Sequence, residues 1–174
     1  MGRNKALLPV RGEPLIRAIV SAVETAAGSA VLVGSERLYG HLGFRAIPDL
    51  YPGEGPLGAI VTALRNSSAE WNLVVGCDMP ELSAGFLSSL LRVARESDFD
   101  LLAPAGPAGQ PEPLCALYRR SAAEPLRRAF EGGERRAMAV FNLLKAGVVR
   151  FQEAAYFQSV NTPEEWALYA AERS

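Results

Sequence analysis

Apolar residues alternate along the chain between helical spacing and short continuous runs. From Pro14 onward they fall at positions 15, 16, 19, 20 and 23, on one face of a predicted helix that Gly28 ends. Four further helices are predicted at 57–64, 83–91, 122–130 and 136–145, with Ser83 as an N-cap. Continuous apolar runs predict buried strands at 30–33, 71–76, 100–103, 114–118 and 148–151. Thr162 opens a capping box for a last helix.

Strands that alternate with helices indicate a mostly parallel sheet that is covered on both faces. We therefore predict one domain over residues 1–174 with a three-layer, doubly wound α/β fold. Such folds bind ligands at the carboxyl ends of their strands. The chain opens directly on Met1 and Gly2, without a preceding apolar run, so we expect it to lack the first strand of this fold.

Composition and charge narrow the class of protein. The net charge of -1 gives no basic excess for nucleic acid, and no apolar stretch has the length of a membrane span. Cys77 and Cys115 lie in apolar runs without metal-type spacing, which indicates reduced thiols and a cytoplasmic protein. His41 is the only histidine, and no serine lies in a nucleophile-elbow context, so hydrolase chemistry has no support.

Asp78 is the first candidate for chemistry, because it directly follows the predicted strand 71–76. A carboxylate at the carboxyl end of a strand is well placed to hold Mg²⁺ and, through it, triphosphate oxygens. Pro80 makes the turn rigid. The alternative is a strand-to-helix turn in which Asp78 only accepts hydrogen bonds from backbone amides.

A second candidate is Asp49 with the loop that follows it, which has three glycines between positions 53 and 58 and then enters a helix. Glycines let backbone approach a flat ligand closely, and the free N–H groups of a helix start favour an anion or a carbonyl. The loop is either a base- or ribose-binding loop or a long surface turn. Lys5 is either a phosphate-neutralising cation or a solvated surface charge.

Two further groups are secondary candidates. Arg135 and Arg136 follow two glycines and either hold phosphates of a second substrate or are charges at a helix start. Asn161 either completes a metal or substrate site or belongs to a turn before a capped helix.

The order and spacing of five motifs carry a family resemblance. They are MG-x-x-K-A-L-L-P, D-x-x-P-G-x-GPLG, V-V-G-C-D-M-P, G-E-R-R and V-N-T-P-E-E, spread over essentially the whole chain. Together they resemble the molybdenum cofactor guanylyltransferases, whose fold is similar to that of the nucleotide-diphospho-sugar transferases. CDMP and NTPEE recur in related nucleotidyltransferases, whereas GPLG together with GERR narrows the resemblance to the molybdenum cofactor branch.

The resemblance implies transfer of GMP from GTP to the phosphate of molybdenum-bearing molybdopterin, with release of pyrophosphate. It implies that Lys5 contacts the GTP phosphates and that Asp78 binds Mg²⁺. It places Asn161 near the metal or the acceptor, and Arg135 and Arg136 near the pterin phosphate. The residues implied to face the guanosine are Asp49, Gly55, Pro56, Leu57 and Gly58. Molybdenum-insertion and adaptor proteins are the partners that the family commonly has.

The chain departs from the family pattern at its start. The family opens with a strand and a turn of the form L-A-G-G-x-S-x-R-M-G, of which only Met1 and Gly2 are present, and Asn4 stands where an aspartate is common. Three hypotheses follow. The chain is a guanylyltransferase that lacks its first residues, a related transferase that uses CTP, or a catalytically inactive remnant that serves as a binding module.

Overall fold

Eight strands and six helices form the part of the chain that the computed structural model describes, residues 5–10, 12–157, 160, 165–166 and 169. The strands are β1 (Pro9–Val10), β2 (Glu13–Pro14), β3 (Leu32–Val33), β4 (Ala46–Ile47), β5 (Trp71–Val75), β6 (Leu101–Ala105), β7 (Cys115–Arg119) and β8 (Ala146–Arg150). The helices are α1 (Leu15–Ala27), α2 (Glu36–Tyr39), α3 (Pro56–Arg65), α4 (Ala84–Arg95), α5 (Ala123–Glu131) and α6 (Val140–Leu143). Short 3₁₀ turns precede β1 and α5 and follow β8.

The main sheet has the strand order β5-β7-β6-β8. Strand β7 is antiparallel to both β5 and β6, and β6 is parallel to β8. Strands β5, β6 and β8 therefore run in one direction, and β7 is the reversed strand among them. Strands β3 and β4 form a separate parallel pair, and β1 and β2 form a short antiparallel hairpin.

Helices cover both faces of the main sheet. Because neighbouring residues of a strand point to opposite faces, Leu101 joins one cluster of buried side chains and Leu102 joins the other. The first cluster contains the inner faces of α3 and α5, and the second contains the inner face of α4. This three-layer arrangement confirms the predicted doubly wound α/β fold.

Local sequence signals account for most of the helix ends. Gly28 ends α1 in the left-handed region at φ 85°, and the Ser83 side chain caps α4 by accepting a hydrogen bond from the Phe86 N–H at 3.2 Å. Pro56 occupies the first position of α3. Burial raises the pKa of the Cys115 thiol to about 12, as expected for an inert core cysteine.

Two predicted elements differ from the structure in their extent. The strand predicted at 30–33 contains only Leu32–Val33. The segment predicted as a helix over 136–145 forms a 3₁₀ turn and the four-residue α6. The helix does not extend to residue 145, because the Lys145 carbonyl, just ahead of β8, accepts hydrogen bonds from the N–H groups of Asp100 and Leu101. The sequence analysis did not predict α2 and β4, and the Thr162 capping box lies outside the described residues.

The described helices are short, and α1 has 13 residues. None of the helices in the described part of the chain combines the length and the apolar character that crossing a membrane requires.

Candidate functional site

The turn after β5 presents Asp78 at the carboxyl end of the strand, as the sequence predicts. The Gly76 N–H donates to the Leu114 carbonyl at 2.6 Å, which continues the pairing of β5 with β7 by one residue. A Cβ on Gly76 would lie only 2.8 Å from Asp78 Oδ1, so the carboxylate is folded over the glycine. A larger residue at position 76 would displace the Asp78 carboxylate from this position.

Glu112 is a second carboxylate at the same edge, and the sequence analysis did not identify it. Its backbone N–H donates to the Pro104 carbonyl at 2.9 Å, and its Oε1 accepts from the Leu114 N–H at 3.0 Å. Burial raises the pKa of Glu112, the Leu114 N–H opposes that rise, and the charge of Asp78 adds to it. The charge of Asp78 therefore reaches the Glu112 carboxylate at this end of the sheet.

The reversed direction of β7 explains why Glu112 was missed. Val75 at the end of β5 pairs with Cys115 at the start of β7, so the loop that precedes β7 lies beside the loop that follows β5. In a purely parallel sheet the residues before a strand lie at the opposite edge from the site. The signal in the sequence was the acidic residue in Pro111-Glu112-Pro113, directly ahead of an apolar strand.

The chemistry of this carboxylate pair fits Mg²⁺. Magnesium is usually held by one or two protein carboxylates, and water and substrate phosphates complete its octahedron. Burial is the main cause of the raised pKa of Glu112, and a cation between Asp78 and Glu112 would remove the smaller contribution that the charge of Asp78 makes to it. Within the described ranges, no group of three or more acidic, histidine or cysteine side chains forms a larger metal cluster.

Asp49 stabilises the turn that begins the glycine-rich loop. Its Oδ1 accepts from the Tyr51 N–H and from the Thr62 hydroxyl, each at 3.0 Å. Thr62 is completely buried, and its Oγ1 also accepts from the Leu50 N–H at 3.2 Å. One carboxylate oxygen of Asp49 is thus occupied by the loop itself, and contact of Asp49 with a base stays a prediction.

The Thr62 hydroxyl is expected to be the main polar anchor of this loop. Thr62→Val keeps the volume but leaves the Leu50 N–H without its acceptor and removes one of the two donors to Asp49 Oδ1, so the unfolding free energy should fall by about 1–3 kcal/mol. Thr62→Ser, which keeps the hydroxyl, is the matched control and should lose less. Urea unfolding of the three proteins measures the difference, and a valine variant as stable as the parent would contradict this assignment.

The loop itself divides into an exposed and a buried part. Gly53, Glu54, Gly55 and Pro56 are exposed, and Gly55 adopts φ 93°. Leu57 is 0% exposed in the core. The Leu57 side chain lies on the buried face of α3 and packs in the core, so a contact of Leu57 with the guanosine would have to involve its backbone and stays a prediction. Gly58 is also buried, with Tyr51 and Phe130 so close that a Cβ would lie 3.0 Å from each.

Arg135 fixes this loop to the segment after α5. Its carbonyl accepts from the Leu57 N–H at 3.3 Å, and its guanidinium lies 4.0 Å from the Phe130 ring centroid. The guanidinium also donates to the Phe130 carbonyl at 2.6 Å and to Glu54 Oε2 at 2.9 Å. Arg135 therefore has a structural role in positioning the loop. Arg136, whose side chain is 82% exposed, pairs with Glu134, and its contact with a pterin phosphate stays a prediction.

The two remaining candidates lie at the chain's ends. The Val160 N–H donates to the Asp78 carbonyl at 2.9 Å, so the residue next to Asn161 is bound to the Asp78 turn. Asn161 itself lies outside the described residues, as do Met1 and Gly2. Lys5 begins a 3₁₀ turn whose Ala6 is buried in a cluster that Cys77 packs against. The phosphate contact of Lys5 stays a prediction.

The structure thus brings Asp78 together with Glu112 and Val160, and Asp49 together with Thr62 and the glycine-rich loop. Asp49 and Asp78 share no hydrogen-bond partner among the described residues. An acidic pair at the carboxyl end of a doubly wound sheet, with a glycine-rich loop leading into a helix, is an arrangement that suits an α/β enzyme acting on a nucleotide. A family profile for the MobA-like NTP transferase domain matches residues 1–148, and the chain belongs to this family.

Similar proteins agree with this assignment. The chain is 29% identical over 173 residues to the probable molybdenum cofactor guanylyltransferase of Carboxydothermus hydrogenoformans, covering 95% of this chain and 86% of that protein. It is 30% identical over 166 residues to the corresponding protein of Deinococcus radiodurans, covering 95% and 85%. The crystal structure of molybdopterin-guanine dinucleotide biosynthesis protein A from Archaeoglobus fulgidus superposes with a TM-score of 0.81 at 26% identity, covering 98% and 91% of the two chains.

Proposed function

We propose that this protein transfers GMP from GTP to molybdenum-bearing molybdopterin and so forms the guanine dinucleotide form of the molybdenum cofactor. The observation that carries the proposal is that the antiparallel pairing of β5 with β7 places Asp78, after β5, and Glu112, before β7, at the same end of the sheet, in a chain of the MobA-like family. The names of its relatives support the choice of base and of acceptor.

The reaction requires no nucleophile from the protein. A phosphate oxygen of molybdopterin forms a bond to the α-phosphorus of GTP, the bond from that phosphorus to the α–β bridging oxygen breaks, and pyrophosphate leaves. Catalysis then consists of alignment and charge neutralisation. We propose that Asp78 and Glu112 hold Mg²⁺, which supplies positive charge against the triphosphate. The protein's own share is to keep both carboxylates at one edge and to hold the nucleotide still.

We propose that the exposed part of the glycine-rich loop, Gly53–Pro56, contacts the guanosine through its backbone. Arg135 and Glu54 fix this loop at one end, and the Asp49–Thr62 pair fixes it at the other. A loop that is held at both ends loses little conformational entropy when a ligand binds, which favours selective binding. Lys5 is proposed to neutralise phosphate charge.

The base preference is open to a direct test by thermal unfolding. GTP with Mg²⁺, at about a hundred times its dissociation constant, should stabilise the protein by about 2.7 kcal/mol. For a domain of this size that corresponds to a rise in Tm of roughly 5–10 °C. CTP with Mg²⁺ at the same concentration should give a smaller rise, and GTP with a chelator is the control. An equal or larger shift with CTP would contradict the guanylyl assignment and favour a cytidylyltransferase.

The remaining proposals concern the setting of the reaction. Two reduced thiols are typical of a cytoplasmic protein, and we propose that location. Molybdenum-insertion and adaptor proteins of the same biosynthetic route are the proposed partners, as the family resemblance implies.

A further inference from the structure

Tyr118 is a buried tyrosine on β7 whose hydroxyl reaches the turn that carries Glu112. Its side chain is 0% exposed and belongs to the cluster formed by the inner faces of α3 and α5. The hydroxyl donates a hydrogen bond to the Pro113 carbonyl at 2.7 Å. A buried tyrosine hydroxyl needs a polar partner, and here that partner is the residue next to a proposed metal ligand.

Two prolines limit the ways in which the backbone around Glu112 can be held. Pro111 and Pro113 flank Glu112, and neither has an N–H group to donate to a neighbouring strand. Pro113 also disfavours the helical region for the residue before it, which restricts the conformation of Glu112. The segment is therefore held mainly through its carbonyl groups and through the Glu112 N–H.

Three consecutive residues of this segment are each held by a different partner. The Glu112 N–H donates to a carbonyl of β6 at 2.9 Å, and the Leu114 carbonyl accepts from the Gly76 N–H beyond β5 at 2.6 Å. The Pro113 carbonyl, between them, accepts from Tyr118. Of these three contacts, the one from Tyr118 is made by a side chain, so a substitution can remove it without changing the backbone.

The turn itself leaves the Pro113 carbonyl to Tyr118. The Cys115 N–H donates to the Glu112 carbonyl at 3.2 Å, which closes a β-turn with Pro113 and Leu114 at its central positions. Pro113 is buried, and a buried carbonyl that loses its donor is costly in free energy. Without the hydroxyl, the turn would have to shift to bring this carbonyl to water, and Glu112 would move with it.

We propose that Tyr118 is a positioning residue that fixes the Glu112 carboxylate beside the Asp78 turn. Tyr118 acts through the Pro113 carbonyl and not by contact with a substrate. The inference rests on the proposed function of Glu112 in holding Mg²⁺, and it names the side chain that keeps this carboxylate in place. Tyr118 also shares a buried cluster with Leu57 of α3, so the helix after the glycine-rich loop and the Glu112 turn have a common support.

The first test measures hydrogen exchange without nucleotide or metal in the parent, in Tyr118→Phe and in Leu126→Val. Tyr118→Phe removes only the hydroxyl, and Leu126→Val shortens another fully buried side chain of the same cluster as the matched control. The amides of Leu114 and Cys115, which donate to Glu112, should exchange about tenfold faster only in Tyr118→Phe, relative to the amides of α4. Equal acceleration in the two variants, or none in Tyr118→Phe, overturns the proposal.

The second test separates positioning from a general loss of stability. Tyr118→Phe should raise the Mg²⁺ concentration for half-maximal turnover about tenfold, because partners that orient a metal ligand affect metal affinity on this scale. The KM for GTP at saturating Mg²⁺ should change little, and Leu126→Val should change neither quantity. Adding Tyr118→Phe to Glu112→Gln should give little further rise, because the hydroxyl acts through that carboxylate. Additive effects of the two substitutions overturn the proposal.

Failure of the proposed function gives a different result. If Glu112 does not hold Mg²⁺, Glu112→Gln leaves turnover unchanged at every Mg²⁺ concentration. The exchange of the Leu114 and Cys115 amides depends on neither turnover nor metal, so it still decides whether Tyr118 positions the turn.

Discussion

Asp78→Asn is expected to lower kcat for guanylyl transfer by about 10³-fold while the fold is retained. The substitution keeps the shape of the side chain and its position over Gly76, but it removes the charge that would hold Mg²⁺ at the carboxyl end of β5. Charge stabilisation by a placed metal or donor supplies this order of rate enhancement in other enzymes. Steady-state kinetics with GTP, molybdopterin and varied Mg²⁺ measures the loss.

Asp98→Asn is the matched control for this result. Asp98 is exposed, pairs with Lys145, and lies ahead of β6, at the opposite edge of the sheet from Asp78. The same chemical change there should leave kcat unaltered. Near-normal turnover in Asp78→Asn, or equal losses in the two variants, would remove Asp78 from the metal site.

Glu112→Gln is expected to change activity and stability in opposite directions. The amide oxygen still accepts from the Leu114 N–H, but the negative charge is lost. Turnover should fall by about 10²-fold because one of two proposed metal ligands is neutralised. Stability without Mg²⁺ should rise at neutral pH. Burial and the charge of Asp78 raise the pKa of Glu112, so the ionised form costs folding free energy above that pKa and the cost disappears as pH falls through it.

Glu124→Gln on α5 is a control for which we expect the opposite change in folding stability. Hydrogen bonds from Arg127 and Arg128 lower the pKa of this exposed carboxylate to about 2, so its charge favours the folded state above its unfolded pKa. Its removal should slightly destabilise the protein and leave turnover unchanged. Parallel activity assays and urea unfolding of both variants give the comparison. A loss of stability in Glu112→Gln would show that the carboxylate serves the fold and not a metal.

The helices could be predicted because their signals are local. The apolar face of α1 and its terminating Gly28 lie within one stretch of sequence, and so does the Ser83 cap of α4. The helix predicted at 136–145 was too long because the position of its end depends on a long-range contact and not on a local signal. Its end is set by the pairing of β8 with β6, through residues some 45 positions apart in the sequence.

Amino-acid sequence alone determined the class of fold, the position of Asp78 after β5 and the glycine-rich turn before α3, since each depends on residue types within a few positions of one another. Tertiary structure alone decided that Glu112 joins Asp78, because that follows from the reversed direction of β7, which the local pattern of an apolar strand does not encode. It also decided that Arg135 fixes the loop near Glu54, 81 residues away.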